Sequence, residues 1–566
     1  MSVETESSAR LARRIEAAQG RIPCDLALEN VRFLDVFSCR WRAGTIGVVD
    51  GTIVGLQPGL PARRRVDASG LTAVPGFIDA HVHVESSMML PDAFEAAVLP
   101  RGTTSVVCDP HEIANVAGPP GLEYFLHSAQ QLSVDLWVML SSCVPATHLE
   151  TNGAGRIGAE TLAPLAAQPH ALGLAEMMNV PGVLSADPEV LAKLTAFAGS
   201  VIDGHCPLLS GQGLAAYAAA GISSCHESSE YTEAAEKLRH GLAVWIREGS
   251  VAKDLNALIP LLDMATSSSI GFCTDDRNPW DIATEGHIDH LVRSAIAHGV
   301  APELAYRTAS WSAARHYGLS RGLDRVGAIA PGYKADLVLL EDTDAVAIRD
   351  VLKAGKFAAE LETALPEPTH LLHTTRAQVP APEALEGPSG RVHAIDIWEG
   401  KILTGSVVAA HDAPEIRRIA VLERHGHDEP PANGYVRGFG PLRGAIASSV
   451  GHDSHNLVVV GDRTDDMSAA LAALIDCGGG FCVVRDGQEL AKLALPYGGL
   501  MSAASPEQLR TELERLHAAS RAIGCVLNEP FLQLAFLSLP VIPKLKLTNK
   551  GLVDVEAFDF LSVRAA

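Results

Sequence analysis

The stretch Pro75-Gly-Phe-Ile-Asp-Ala-His-Val-His-Val-Glu-Ser86 is an apolar run that ends in two histidines and a carboxylate. Side chains two apart on a strand point to the same side, so His81 and His83 can reach one metal ion. Alone, an H-x-H pair is weak evidence; its place in the pattern around it gives it meaning. Seven more short β-rich runs follow, mostly separated by helical segments. With Thr72–Val84 as the first, they are Thr104–Cys108, Leu136–Leu140, Ala171–Ala175, Val201–Gly204, Ile222–Cys225, Leu242–Ile246 and Ile270–Cys273. Most are uniformly apolar rather than alternating, as parallel strands buried on both faces must be. Stretches such as Pro188–Ala198, Glu233–His240 and Asp254–Met264 carry helical spacing. Eight alternating units predict an α/β fold, a (β/α)8 TIM-type barrel.

Outward from this core, the chain predicts further parts. Asp25 to Val66 reads as short strands with Gly-rich turns, and Asp50-Gly51 as a hairpin signal. A helical stretch, Asp289–His316, leads to Gly327–Leu340, which returns to β character. The two flanks are therefore expected to build one small β-sandwich-like domain. A Pro-bearing stretch (Pro366, Pro368, Pro380, Pro382, Pro388) reads as a linker, and an additional C-terminal α/β domain follows. The expected limits are 1–74 and 326–365 for the β domain, 75–325 for the barrel, 366–390 for the linker and 391–566 for the last domain.

Composition narrows the class. The 566 residues carry 45 basic against 67 acidic side chains, a net charge of −22. Such a surface repels phosphate backbones and anionic lipid, so neither nucleic acid nor membrane is an expected partner. Ten cysteines without a framework read as reduced thiols, which predicts a cytoplasmic protein. The N-terminus mixes Glu4, Glu6, Arg10, Arg13, Arg14 and Glu16 and shows no signal-peptide pattern. A homodimer is the default expectation for assembly.

Polar residues fall at or after the predicted strand ends, the face where barrel active sites lie. They are His81 and His83, then Glu176, His205, His226 and Asp275. Singly, Glu176 reads equally well as a solvated helix start, while His205 and His226 read more often as core or loop histidines, and Asp275 more often as a helix cap, than as ligands. Together, four histidines and two carboxylates at one barrel mouth would be costly to bury unpaired. A metal removes that cost. Mixed N/O ligation suits Zn²⁺, Fe²⁺ or Mn²⁺, and six ligands exceed the need of one tetrahedral ion. Two ions roughly 3.5–4 Å apart would use them all.

These residues resemble the amidohydrolase superfamily pattern: H-x-H after strand one, a bridging residue after strand four, His after strands five and six, Asp after strand eight. Longer strings are similar to its adenine deaminase branch: Asp79-Ala-His-Val-His-Val-Glu-Ser-Ser-Met88, Cys108-Asp-Pro-His-Glu-Ile113, Asp203-Gly-His-Cys-Pro207, Cys273-Thr-Asp-Asp-Arg277 and Ser448-Ser-Val-Gly-His-Asp-Ser-His-Asn456. Glu176 stands where hydantoinases and dihydroorotases often carry a carbamylated lysine. No P-C-x-x-C motif of the other deaminase architecture occurs.

The resemblance implies hydrolytic deamination of adenine to hypoxanthine and ammonia, by metal-activated hydroxide attacking C6 of the purine base. It also implies two divalent ions, Mn²⁺ or Fe²⁺, with Zn²⁺ as the further option. Asp275 is then the expected base and Glu112 the second proton shuttle. Glu85, Ser86, Asp276 and Arg247 are the expected purine contacts; Ser87, Glu248 and His111 are weaker candidates. The dense segment His452-Asp453-Ser454-His455-Asn456 either closes the site from above or forms a local network. The competing readings are action on guanine, cytosine or a cyclic amide, and a binding barrel without catalysis. No metal ligand is missing, which argues against the last.

Overall fold

The computed structural model describes residues 3–565. Five parallel strands (Phe77–Val82, Thr103–Cys108, Asp135–Leu140, Ala171–Met177 and Val201–Gly204) form one sheet in chain order. Three more parallel strands (Ser224–Cys225, Ala243–Arg247 and Ile270–Cys273) form a second. Hydrogen bonds join the two sheets at both seams: Ser223 N to Ile202 O (2.9 Å) and Asp275 N to His81 O (3.0 Å). Eight consecutive parallel strands in this order, with helices between them, fit a TIM-type domain. Their side chains are nearly all buried, which explains their unalternating apolar sequences.

The expected first strand, Thr72–Val84, is two strands. Thr72–Pro75 pairs antiparallel with Leu337–Leu340 in a different sheet, and Phe77–Val82 opens the TIM-type domain. The break falls at Gly76, where a Cβ would lie 2.2 Å from Thr104 Oγ1. Pro75, lacking an N–H, cannot donate to a ladder there. The sheet that Thr72–Pro75 joins has eight strands, drawn from residues 24–75 and 337–357. Two helical expectations also change. The segment 254–264 holds only Leu255–Leu258 and a tight turn, Ile259–Leu261, interrupted by Pro260. Asp289–His316 breaks after Ala297, at Gly299 (φ 94°), and restarts at Pro302.

A largely antiparallel eight-stranded sheet spans Arg391–Ala494, flanked by the helices Thr464–Cys477 and Pro506–Ala522. The Pro-bearing stretch before it is packed, with Leu371 and Leu385 buried. Ser502 bonds Met88 O (2.9 Å), and Thr548 Oγ1 bonds Leu149 O (2.6 Å), so this part lies against the loops after the first and third TIM-type strands. Among the described residues, no helix is long and apolar enough to cross a membrane.

Candidate active site

The TIM-type strands deliver their polar residues to one place. His81 and His83 lie at the end of Phe77–Val82, with Nε2 atoms 3.1 Å apart. The backbone carbonyl of Asp109 accepts from His83 Nδ1 (2.8 Å), which leaves Nε2 free for the cluster. Glu176, near the end of Ala171–Met177, lies at the centre. Its Oε1 is 3.4 Å from His83 Nε2 and 3.7 Å from His81 Nε2; its Oε2 is 2.6 Å from His205 Nδ1 and 3.3 Å from His226 Nε2. Asp275 Oδ1 is 3.1 Å from His83 Nε2 and 3.5 Å from His81 Nε2. All six residues expected as ligands therefore meet, and all are buried.

Local structure explains how they are held. Asp275 has φ 55°, a left-handed conformation tolerated by Asp. Asp79, fully buried, fixes that bend by accepting from Thr274 N (3.1 Å) and Thr274 Oγ1 (2.5 Å). Burial pushes the Asp79 carboxyl up to about 7, against those two hydrogen bonds. Tyr217 OH accepts from His205 N (2.9 Å), and Asp203 accepts from Ser224 Oγ (2.6 Å) and Tyr317 OH (2.8 Å).

The electrostatics are those of a cation site. Burial raises Glu176, but the imidazoles of His226 and His205 outweigh it and hold the carboxyl well below its usual range. Burial likewise raises Asp275, and hydrogen bonds to His81 and His83 outweigh it. The rings of His81 and His226 stack at 4.0 Å, and His205 Nε2 is buried without a partner among the described residues. For N and O ligands about 2.1 Å from an ion, neighbouring ligand atoms stand roughly 3.0–3.4 Å apart. Most spacings here are close to that range. The donor set thus fits a divalent ion, and several overlapping three- and four-residue groups can hold one.

The other expected residues are placed differently. Arg247 lines the cavity beside the cluster, but its guanidinium is engaged by three carboxylates. Nη1 donates to Asp275 Oδ2 (2.9 Å) and to Glu227, and Nη2 to Asp254 (2.9 Å). Asp276 lines the cavity and accepts from Ser86 Oγ (2.5 Å). Glu85 and Ser86 line a neighbouring cavity with Met88 and Phe531. Glu112 is fully buried, accepts from Ser86 Oγ (3.0 Å), and does not line the cluster's cavity. Ser87 bonds back to Val84 O, and Glu248 accepts from Leu255 N (3.2 Å). His111 Nδ1 stands 3.4 Å from Glu176 Oε1 and 3.2 Å from Asp109 Oδ2.

The dense C-terminal segment does reach the site. His452 and Asp453 line the cavity, and Asp453 Oδ1 is 3.6 Å from His111 Nε2. His455 and Asn456 sit behind them, bonding Gly451 N and Arg424 N. Sequence reasoning missed the apolar wall: Met178 and Val251 from the TIM-type domain, with Ile402, Phe536, Leu539 and Ile542 from the C-terminal part.

Comparison with known proteins accords with this geometry. Residues 72–358 match the amidohydrolase family, and residues 398–559 match the adenine deaminase C-terminal domain. An adenine deaminase of Brucella suis is 46% identical over 569 residues, covering 98% of this chain and 97% of the relative. The chain belongs to the adenine deaminase family. An adenine deaminase of Methylobacterium nodulans is 48% identical over 578 residues, covering 98% of this chain and all of the relative. One from Methylobacterium sp. (strain 4-46) is 49% identical over 570 residues, with the same coverage. Family membership spans both the metal-type cluster and the segment that walls it.

Proposed function

We propose that this chain hydrolyses adenine to hypoxanthine and ammonia. The observation that carries the reading is Glu176 set between two groups of imidazoles, in a chain similar along nearly its whole length to proteins named adenine deaminase. His81, His83 and Asp275 would hold one divalent ion and His205 and His226 a second, with Glu176 shared; Mn²⁺ or Fe²⁺ suits the set, and Zn²⁺ is tolerated. When bound, such ions act as Lewis acids that make water reactive near neutral pH. Asp275 takes the proton of the attacking water, its other oxygen held by Arg247. Asp276, on the cavity wall, accepts an N–H of the base. Glu112 supplies negative charge behind that wall. The eight TIM-type strands act as one closed (β/α)8 barrel over residues 75–325. The described residues of the flanks 1–74 and 326–365 form the β domain, and those of 391–566 form a C-terminal α/β domain that covers the strand ends.

The test is ammonia release from adenine by protein loaded with Mn²⁺, compared with chelated protein and with Asp275→Asn. Turnover that needs both the metal and Asp275 is expected. Folded protein with no turnover in Mn²⁺, Fe²⁺ or Zn²⁺ would return the substrate question to other bases and cyclic amides.

A further inference from the structure

Of the titratable side chains that line the cavity beside the cluster and that the reaction above leaves unused, Glu227 is paired with Arg247, and His111 lies between Asp109 and Asp453, which directs attention to His452. His452 lies on a C-terminal loop, its backbone N–H bonded to Ala535 O (3.0 Å). Its ring lies flat on Phe536, with centroids 4.7 Å apart and planes within 4°. Nδ1 faces Glu112 Oε1 at 3.4 Å. Nε2 is buried without a partner among the described residues, although the ring lines the cavity. A fixed imidazole with a buried carboxylate behind one nitrogen and the other nitrogen free is the arrangement of a general acid–base residue. Glu112, behind the wall, cannot touch a base in the cavity except through such an intermediary.

We propose that His452 is the catalytic acid that protonates the purine, with Glu112 as its positioning partner; this rests on the adenine reading. As the water oxygen bonds C6, the C6–N1 π pair moves to N1 and takes the proton from His452 Nε2, while Asp275 takes one water proton. Asp275 then gives that proton to the 6-amino nitrogen. The C6–N bond breaks with its pair on nitrogen, ammonia leaves, and the C6 hydroxyl returns its proton to His452. One water is consumed, and both side chains end as they began.

The charges around His452 agree with the role. Burial pushes its imidazolium down, but Asp276, Glu112 and Asp453 outweigh that and push it up to about 9. Its other neighbours are His111, which shares Asp453 with it, His455 on the same loop, and the uncharged Phe536. The proton is therefore present at neutral pH.

The test compares kcat and KM across pH for the Mn²⁺-loaded enzyme, His452→Gln and His452→Ala. In His452→Gln, kcat should fall about 10²–10⁴-fold while KM stays within about threefold and metal content is unchanged. The decline of kcat above about pH 9 should vanish, and imidazole should restore turnover to His452→Ala. A kcat within about threefold of wild type, or an unaltered alkaline limb, overturns the proposal. Should these variants fail to fold, Glu112→Gln decides it: loss of the carboxylate must move the alkaline limb to lower pH, and an unmoved limb overturns the proposal. If the wild type turns over another base instead of adenine, the adenine reading falls, and the same comparison on that base still decides His452.

Discussion

Lys546 sits on the strand Leu545–Thr548 with no exposed surface. Its Nζ donates to Ile402 O and Phe536 O, each at 2.9 Å, and both residues wall the cavity. Burial alone pushes its ammonium from the ordinary 10.5 down to about 7. A neutral amine has two N–H donors, which matches the two carbonyls. The gap between 10.5 and about 7, at about 1.36 kcal/mol per pH unit, amounts to ~5 kcal/mol against the charged form in the folded chain. Between those two values the unfolded chain holds the extra proton, so stability rises with pH across that window; below pH 7 the full penalty applies. Lys546→Met removes the proton from both states. It also strands two carbonyls, a pH-independent cost of about 1–3 kcal/mol each. Wild-type stability relative to Lys546→Met should therefore climb by about 2 kcal/mol between pH 7 and pH 9. Paired urea denaturations at the two pH values measure this, because every other titrating group is common to both proteins. A gap that stays constant to within about 0.5 kcal/mol would refute a buried, neutralised lysine.

Two further outcomes follow from buried ion pairs. Arg247→Met leaves Asp275, Glu227 and Asp254 without their cation. Breaking buried pairs costs about 3–5 kcal/mol, and loss of a group orienting a ligand typically weakens metal binding about 10–100-fold. A Mn²⁺ titration read with thermal unfolding checks both, and unchanged affinity would contradict the role given to Arg247. Lys353 bonds Asp135 and Asp336, each at 2.7 Å, and so ties the flanking sheet to the TIM-type domain. Burial raises Asp135, but Lys353 and Lys334 outweigh it and hold it at about 2. Its contribution is present above pH 4 and is lost as pH falls toward 2. Lys353→Met should lose about 3–5 kcal/mol and begin acid unfolding at higher pH, with kcat on adenine unchanged.

How much was legible follows from the kind of signal each residue carries. The six cluster residues are readable because each interrupts or ends a run of apolar residues, and a parallel strand's end is a fixed address in such a fold. Strand pattern could not place the division at Gly76, since apolar residues continue on both sides of it. Helix limits at 254–264 and 289–316 failed where Pro260, Gly299 and Pro302 interrupt good helix formers. Arg247 is visible in sequence as a strand-end charge, but Glu227 comes from the loop after the preceding strand and Asp254 from the far end of the loop that follows Arg247, so its engagement is a three-dimensional fact. Ile402, Phe536, Leu539 and Ile542 read as ordinary core, because nothing in a linear pattern marks an apolar residue whose free face lines a cavity. Lys546, in an alternating strand, reads as a surface lysine.

The C-terminal part has a physical reason to be joined to the TIM-type domain. Charges and imidazoles at a strand-end face work as a catalytic site only where water is excluded, since attraction between charges falls with dielectric constant. The TIM-type loops contribute Met178 and Val251 to that exclusion, and the larger apolar share comes from Ile402 and the segment 536–542. The same segment stacks Phe536 on His452, and its Ser538 Oγ donates to His452 O, so dryness and proton delivery depend on one piece of chain. One continuous apolar core runs from Val82 and Leu140 through Val458 and Leu516 to Leu552. Cutting the chain between residues 365 and 391 would therefore expose core on both fragments, and neither fragment would keep a dry site. Deaminase activity in this architecture belongs to the assembled whole, with the proposed metal ligands on one side of the cavity and the proposed acid, His452, on the other.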